Sequence, residues 1–321
     1  MEVDRRLRVA IIGARGIGKH HAKWWNLCGA EVCGILGTSE ASVARTTQTL
    51  MDMFGVSCRG YTDMNALLAQ EKPDYVDVCS PPGFHYEHVR AALEVDCDVL
   101  CEKPFVFEWG TERSLVLAKA SELVDLAERR GRVLSICTQY SVGADMLLDL
   151  WREQHGNVPI THFRGRLETP AKNRPPNPAR VWTDLGPHMI SVAQRIAPDG
   201  AADWTTLEAV FSNYEAAARF RVNRPGAPDL DCEIVTRNTT RSPGHVRELW
   251  FNNTRYRIGG ENDEEGIYRT LIVGPEKTVR RPDFMHALIQ ACFERRPPVT
   301  LREALVNTDW LLRILETAVH A

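Results

Sequence analysis

The stretch RVAIIGARGIGKHHA, residues 8–22, decides the fold. Four apolar residues, 9–12, make a strand-sized run, glycines follow at 13, 16 and 18, and helix-forming text starts at Lys19. A glycine-rich turn between a buried strand and a helix is the setting in which backbone N–H groups at a helix N-terminus receive a pyrophosphate. Gly13 and Gly18 match the first and third glycines of G-x-G-x-x-G, but Arg15 stands at the middle position and Gly16 follows it. The middle glycine ordinarily lets the backbone approach the phosphates. Here either the turn rearranges around Gly16 and Ile17, or the Arg15 guanidinium itself takes a phosphate.

Outward from that turn, strand text at 31–36, 75–79, 98–101 and 132–138 alternates with helical text at 42–54, 63–70, 86–93 and 111–130. Repeated strand and helix with short connections predicts a doubly wound parallel sheet, a Rossmann-type domain over residues 1–139. Past Gln139 the rhythm changes. A helix at 145–153 and a strand at 160–167 precede the proline-rich, basic stretch ETPAKNRPPNPAR (168–180), which reads as an irregular loop. A helix at 188–196 leads into strand text at 206–211, 216–222, 231–236, 246–251 and 267–273, spaced as in a meander, and helices at 284–293 and 301–318 close the chain. Residues 140–321 therefore read as a second α/β domain on a mostly antiparallel sheet.

Composition narrows the function classes. In 321 residues, 39 Lys and Arg against 42 Asp and Glu give a net charge of −3, without the basic excess that phosphate-backbone binding needs, so nucleic acid is excluded as a partner. No apolar run reaches the ~20 residues of a membrane helix, and the start MEVDRRLRVA lacks a signal-peptide core, so the expected location is cytoplasmic with no membrane partner. Nine cysteines, an odd number without C-x2-C spacing, read as reduced core thiols, and no metal is expected. Cys97 and Cys101 on one strand would stand about 13 Å apart, too far to bridge.

Candidate chemistry gathers at the carboxyl ends of the predicted parallel strands, where open α/β sheets bind ligands. SPPGFHYEH places Ser80, Pro81, Pro82 and His85 after one strand, and CEKPF places Glu102 and Lys103 after the next. Lys103, between a buried strand and a proline, is held where an ammonium can protonate a developing alkoxide. DLGPH adds Asp184 and His188, four apart and on one face if helical.

These motifs, G-x-x-G-x-G, S-P-P-x-x-H-x-E, E-K-P and D-L-G-P-H, in this order, resemble the Gfo/Idh/MocA oxidoreductase family, and the closing text RRPPVTLREALVNTDWLLRILETA looks like that family's last helix. The resemblance implies hydride transfer between a nicotinamide and a carbinol carbon of a sugar, cyclitol or related polar metabolite. It makes Lys103 the catalytic lysine, with His188 or Lys103 moving the hydroxyl proton and Asp184 orienting the partner. It also implies that the sheet of residues 140–321 is open-faced and serves substrate binding and oligomerisation, as a homodimer or homotetramer. Ser191 stands where the family often carries an acidic residue three positions after the histidine. The alternatives within the same fold are a non-catalytic NAD(P) sensor and a reductase of imines or unsaturated rings. Lys172, Arg174 and Arg180, close before Asp184, would suit an anionic group on the substrate.

Cofactor choice rests on the end of the second strand. NAD-specific Rossmann domains place an acidic residue there for the ribose hydroxyls, whereas this chain has Gly37, followed by the hydroxyls of Thr38 and Ser39. That favours NADP(H), with NAD(H) the alternative because Glu40 lies close enough to turn back to the ribose.

Overall fold

The computed structural model describes residues 5–241 and 244–321. The first residues of MEVDRRLRVA, on which the leader reading partly rests, lie outside them. Two units form. One comprises Met1–Cys137 with Met285–Leu305, the other Thr138–Phe284 with Val306–Ala321.

In the first unit, β1 (Arg8–Ile12), α1 (Gly18–Leu27), β2 (Glu31–Leu36), α2 (Glu40–Phe54), β3 (Arg59–Tyr61), α3 (Met64–Glu71), β4 (Tyr75–Val78), α4 (His85–Glu94), β5 (Asp98–Glu102), α5 (Arg113–Arg130) and β6 (Leu134–Cys137) follow one another. The strands lie in the order β3-β2-β1-β4-β5-β6, all parallel. Val9, Ala10, Ile11, Val76, Val78, Val99 and Leu100 have no exposed surface, which is why these strands read as unbroken apolar runs. The order reverses between β1 and β4, the switch point beyond whose strand ends lies the crevice in which open α/β sheets bind ligands. Local chemistry sets the helix limits. Ser39 and Asp63 accept N-cap hydrogen bonds from Ser42 and Ala66, and Gly55 and Gly131 close α2 and α5 in the left-handed conformation.

The second unit begins with α6 (Tyr140–His155), β7 (His162–Pro170) and α7 (Pro178–Ile196), then β8 (Ala201–Ser212), β9 (Glu215–Asn223), β10 (Leu230–Thr239), β11 (Val246–Phe251), β12 (Thr254–Asn262), β13 (Tyr268–Val273) and β14 (Thr278–Pro282). The chain closes with α8 (Phe284–Phe293), α9 (Leu301–Thr317) and β15 (Val319–His320). The sheet order is β14-β13-β12-β11-β7-β10-β9-β8-β15. It is not a plain meander: β7 sits between β11 and β10 and pairs parallel with β10, and β15 pairs parallel with β8. Along β9 and β10 fully buried residues alternate with less buried ones, so one face carries the core of Phe163, Trp182, Phe211, Phe251 and their neighbours.

The stretch expected to be an irregular loop is irregular in its middle and regular at both ends. Residues 168–170 end β7 and α7 starts at Pro178, capped by the Asn177 side chain, so only 171–177 are loop. Proline at the first helical position costs no hydrogen bond, which the proline-rich text concealed. Among the described residues no helix is long and apolar enough to cross a membrane, and all nine cysteines are free thiols.

From Met285 to Leu305 the chain returns to the first unit. Leu288, Ile289 and Cys292 are fully buried, His286 stacks on Trp24 at 4.6 Å between ring centres, Arg295 pairs with Asp98 at 3.0 Å, and the Val299 carbonyl accepts the Ser135 hydroxyl at 3.0 Å.

Candidate functional site

The glycine turn after β1 is shaped by its neighbours. Gly13 has φ +88°, and a Cβ there would meet the Cys79 carbonyl oxygen at 2.8 Å and Ser80 N at 2.9 Å. A Cβ on Gly18 would meet the Gly13 carbonyl oxygen at 2.8 Å. Gly16 has nothing within 4 Å, and Arg15, Gly16 and Ile17 are exposed. No side chain caps α1, and its first turn holds no acidic residue. Two tightly packed glycines, an open one between them and an uncapped helix N-terminus make a cradle that fits a dinucleotide pyrophosphate.

At the end of β2, a Cβ on Gly37 would lie 2.8 Å from Val43 Cγ2, so the residue is small for packing reasons as well. Thr38 is exposed. The Ser39 hydroxyl accepts Ser42 N–H at 3.3 Å as the cap of α2, and the Glu40 carboxylate accepts the Thr62 hydroxyl at 3.0 Å.

Beyond β4 and β5 the expected ligand contacts divide. Pro81 is exposed, Pro82 opens a short 3-10 turn, and the Ser80 hydroxyl lies 3.0 Å from His88 Nδ1. His85 is fully buried. Its Nε2 lies 2.8 Å from the Ser80 carbonyl oxygen and its Nδ1 2.8 Å from that of Pro104, so the ring braces the two loops against each other and offers no ring nitrogen to a ligand. Burial pulls its pKa below the ordinary histidine value against the pull of those carbonyls. The Glu102 carboxylate also turns inward: one oxygen faces His21 Nε2 at 3.2 Å and the other accepts Lys103 N–H at 3.1 Å. Lys103, half-buried, follows directly on the last residue of β5.

In the second unit α7 carries Asp184, exposed, and His188, buried, one turn apart. The His188 ring lies 5.3 Å from that of Tyr140, whose phenol burial pushes up to about 12, keeping it a neutral donor at ordinary pH. The hydroxyl of Ser191, the substrate candidate at the place of the family's acidic residue, donates to the His188 carbonyl at 2.7 Å within the helix.

Lys172 and Arg174 line a cavity of about 610 Å³ together with Tyr214, Thr239 and Arg241. Arg180 stands apart from that lining, exposed on the first turn of α7. Arg241, distant in sequence, gave no signal in the primary structure. Burial and the Arg247 and Lys172 charges lower the His245 pKa, a mark of the positive potential around this loop.

Sequence reading also missed two buried groups with metal-ligand chemistry among the described residues, His21 with Glu102 and Cys137, and His21 with Asp77 and Cys79. Their members come from α1, β4, β5 and β6 and the residue just after β4, so no local spacing announces them.

Comparison with known proteins agrees with this architecture. Residues 7–138 match a family model described as an oxidoreductase family with an NAD-binding Rossmann fold. D-glucoside 3-dehydrogenase of Escherichia coli is 36% identical over 202 residues, covering 59% of this chain and 54% of that protein. D-apiose dehydrogenase of Paraburkholderia graminis is 28% identical over 269 residues, covering 80% of this chain and 66% of that one. The chain thus spans about half to two thirds of the length of these relatives. The solved structure of a UDP-N-acetylglucosamine 3-dehydrogenase from Acidithiobacillus ferrooxidans shares the fold with a TM-score of 0.71 at 17% identity, covering 98% of each chain.

Proposed function

We propose, because residues 7–138 match the Gfo/Idh/MocA model of oxidoreductases with an NAD-binding Rossmann fold, that the protein moves hydride between a nicotinamide dinucleotide and a hydroxyl- or keto-bearing carbon of a sugar, cyclitol or related polar metabolite. The observation that carries this reading is the pairing of the Gly13–Gly18 cradle at the head of α1 with Lys103 at the end of β5, two strands away in one parallel sheet. The turn's exposed backbone and Arg15 hold the pyrophosphate, and Lys103 Nζ holds and returns the hydroxyl proton. When bound, the nicotinamide supplies or accepts the hydride. In the second unit, Asp184 and His188 form a candidate acid–base pair on one helix face. A screen of NADPH and NADH oxidation against keto-sugars, keto-cyclitols and keto-acids tests the proposal. Tight dinucleotide binding without turnover on any of them would favour a sensor of the same fold.

We assign the preference to NADP(H). Gly37 and the exposed Thr38 leave room and a hydroxyl donor for a 2′-phosphate beside the N-terminus of α2, while Glu40 is engaged by Thr62. In parallel fluorescence titrations NADPH is expected to bind more tightly than NADH, and tighter NADH binding overturns the assignment. The informative variant is Thr38→Asp, which should reverse the order. Gly37→Asp is a poorer choice, since its Cβ collides with Val43.

The cavity beside Lys172, Arg174 and Arg241 supports an acidic group on the substrate. Arg174→Ala combined with Arg241→Ala should raise KM for an acidic substrate on the order of tenfold and leave kcat nearly unchanged, as expected for uniform binding. An unchanged KM removes the clamp from the reading.

A further inference from the structure

Behind the crevice, within the first unit, lies a polar cluster that neither dinucleotide binding nor proton transfer accounts for. His21 of α1 has no exposed surface. Its Nδ1 lies 2.9 Å from Asp77 Oδ2 and its Nε2 lies 3.2 Å from Glu102 Oε1. Trp25 Nε1–H donates to the same Asp77 oxygen at 2.6 Å, and the Cys79 thiol approaches the other at 3.4 Å. Cys137 Sγ stands 3.8 Å from His21 Nε2.

A neutral imidazole has one N–H and can donate to only one of two carboxylates, whereas an imidazolium donates to both. The groups that face His21 are Asp77 and Cys79 at the end of β4, Glu102 of β5, Cys137 of β6 and Cys292 of α8. Burial opposes the charged ring, but the Asp77 carboxylate, in hydrogen-bond contact with it, holds the His21 pKa well above its ordinary value. One cation between two buried carboxylates offsets one of their two charges. The second oxygen of Glu102 accepts Lys103 N–H at 3.1 Å, so a continuous line of hydrogen bonds runs from Asp77 through His21 and Glu102 to the backbone of Lys103.

We propose that His21 is a positioning residue for Lys103, clamping the Glu102 carboxylate inward so that it fixes the Lys103 backbone at the mouth of the crevice. The proposal rests on the reading of Lys103 as the proton-transfer group. Released from His21, Glu102 would swing toward solvent, place a negative charge beside the dinucleotide phosphates and let the Lys103 segment drift.

Two measurements on the full chain test this without a known substrate. Histidine-selective 15N NMR of the unaltered protein should show His21 carrying protons on both ring nitrogens between about pH 6 and 8. A singly protonated ring at neutral pH overturns the proposal, as does one equivalent of zinc in the purified protein by elemental analysis. The second measurement is acetylation by acetic anhydride, read by mass spectrometry as the Lys103 rate relative to exposed Lys72. His21→Leu should change that ratio about threefold or more, and His21→Gln, which keeps a donor toward Glu102, should return it toward the original value. An equal ratio in all three proteins overturns the proposal, and His21→Gln together with the NMR result decides the matter if His21→Leu does not fold. If Lys103→Met retains turnover, the catalytic reading fails by itself, because neither measurement here depends on turnover.

Discussion

Replacing Lys103 by methionine is expected to lower turnover on the order of 10²-fold or more while leaving dinucleotide affinity nearly unchanged. Methionine keeps an unbranched side chain of similar reach, so packing beside buried Pro104 and Phe105 survives. The Glu102 hydrogen bond to the backbone of residue 103 is also untouched, since it uses the N–H and not the side chain. The ammonium, with its charge and its transferable proton, is what the substitution removes. Steady-state turnover and a fluorescence titration with NADPH, measured on one preparation, separate the two effects. Comparable turnover in the variant, or a parallel loss of affinity, would sink the assignment.

The second large effect is expected at Gly13. Alanine there takes a left-handed φ of +88° and drives its Cβ to 2.8 Å from the Cys79 carbonyl oxygen and 2.9 Å from Ser80 N, both backbone atoms that cannot step aside. The left-handed conformation alone costs about 1–2 kcal/mol for a residue with a Cβ. With the overlap, a total of about 2–3 kcal/mol corresponds to a fall in Tm of roughly 5–10 °C. Because the turn must shift to relieve the contact, NADPH affinity should fall at least about tenfold. Gly16→Ala is the control: its Cβ meets nothing within 4 Å, so Tm should not move. If Gly16→Ala weakens NADPH while Tm holds, the pyrophosphate passes over residue 16. A Gly13→Ala protein with unchanged Tm and affinity would refute the packing argument.

What could be read from the primary structure follows a physical pattern. The strands of the parallel sheet were legible because burial on both faces demands apolar runs, as in 9–12 and 75–78, and the glycine turn was legible because close backbone approach leaves no room for a side chain. β3, β12 and β14 were not. RGY is only three residues long, TRYRIGGEN is interrupted by two glycines, and TVRRP is polar, so each owes its strand state to a neighbouring ladder more than to its own text. The site divides the same way. Lys103 stands in a contiguous motif after a strand, whereas the His21 cluster and Arg241 assemble from distant segments, and nothing local in the sequence encodes their meeting. Side-chain direction was equally hidden: His85 and Glu102 sit in the expected loops but turn inward.

The return of residues 285–305 to the first unit bears on how the chain is made. During synthesis the parallel sheet emerges first, yet Leu288, Ile289 and Cys292, which complete its core, are added only after the whole stretch 138–284 has been made. Until then the nascent sheet carries apolar surface that later residues will cover, at about 1.5–3 kcal/mol per large side chain. A fragment ending near residue 139 would inherit that bare surface permanently. Such contacts, distant along the chain, tend to make folding slow and its intermediates prone to stick to chaperones or to one another.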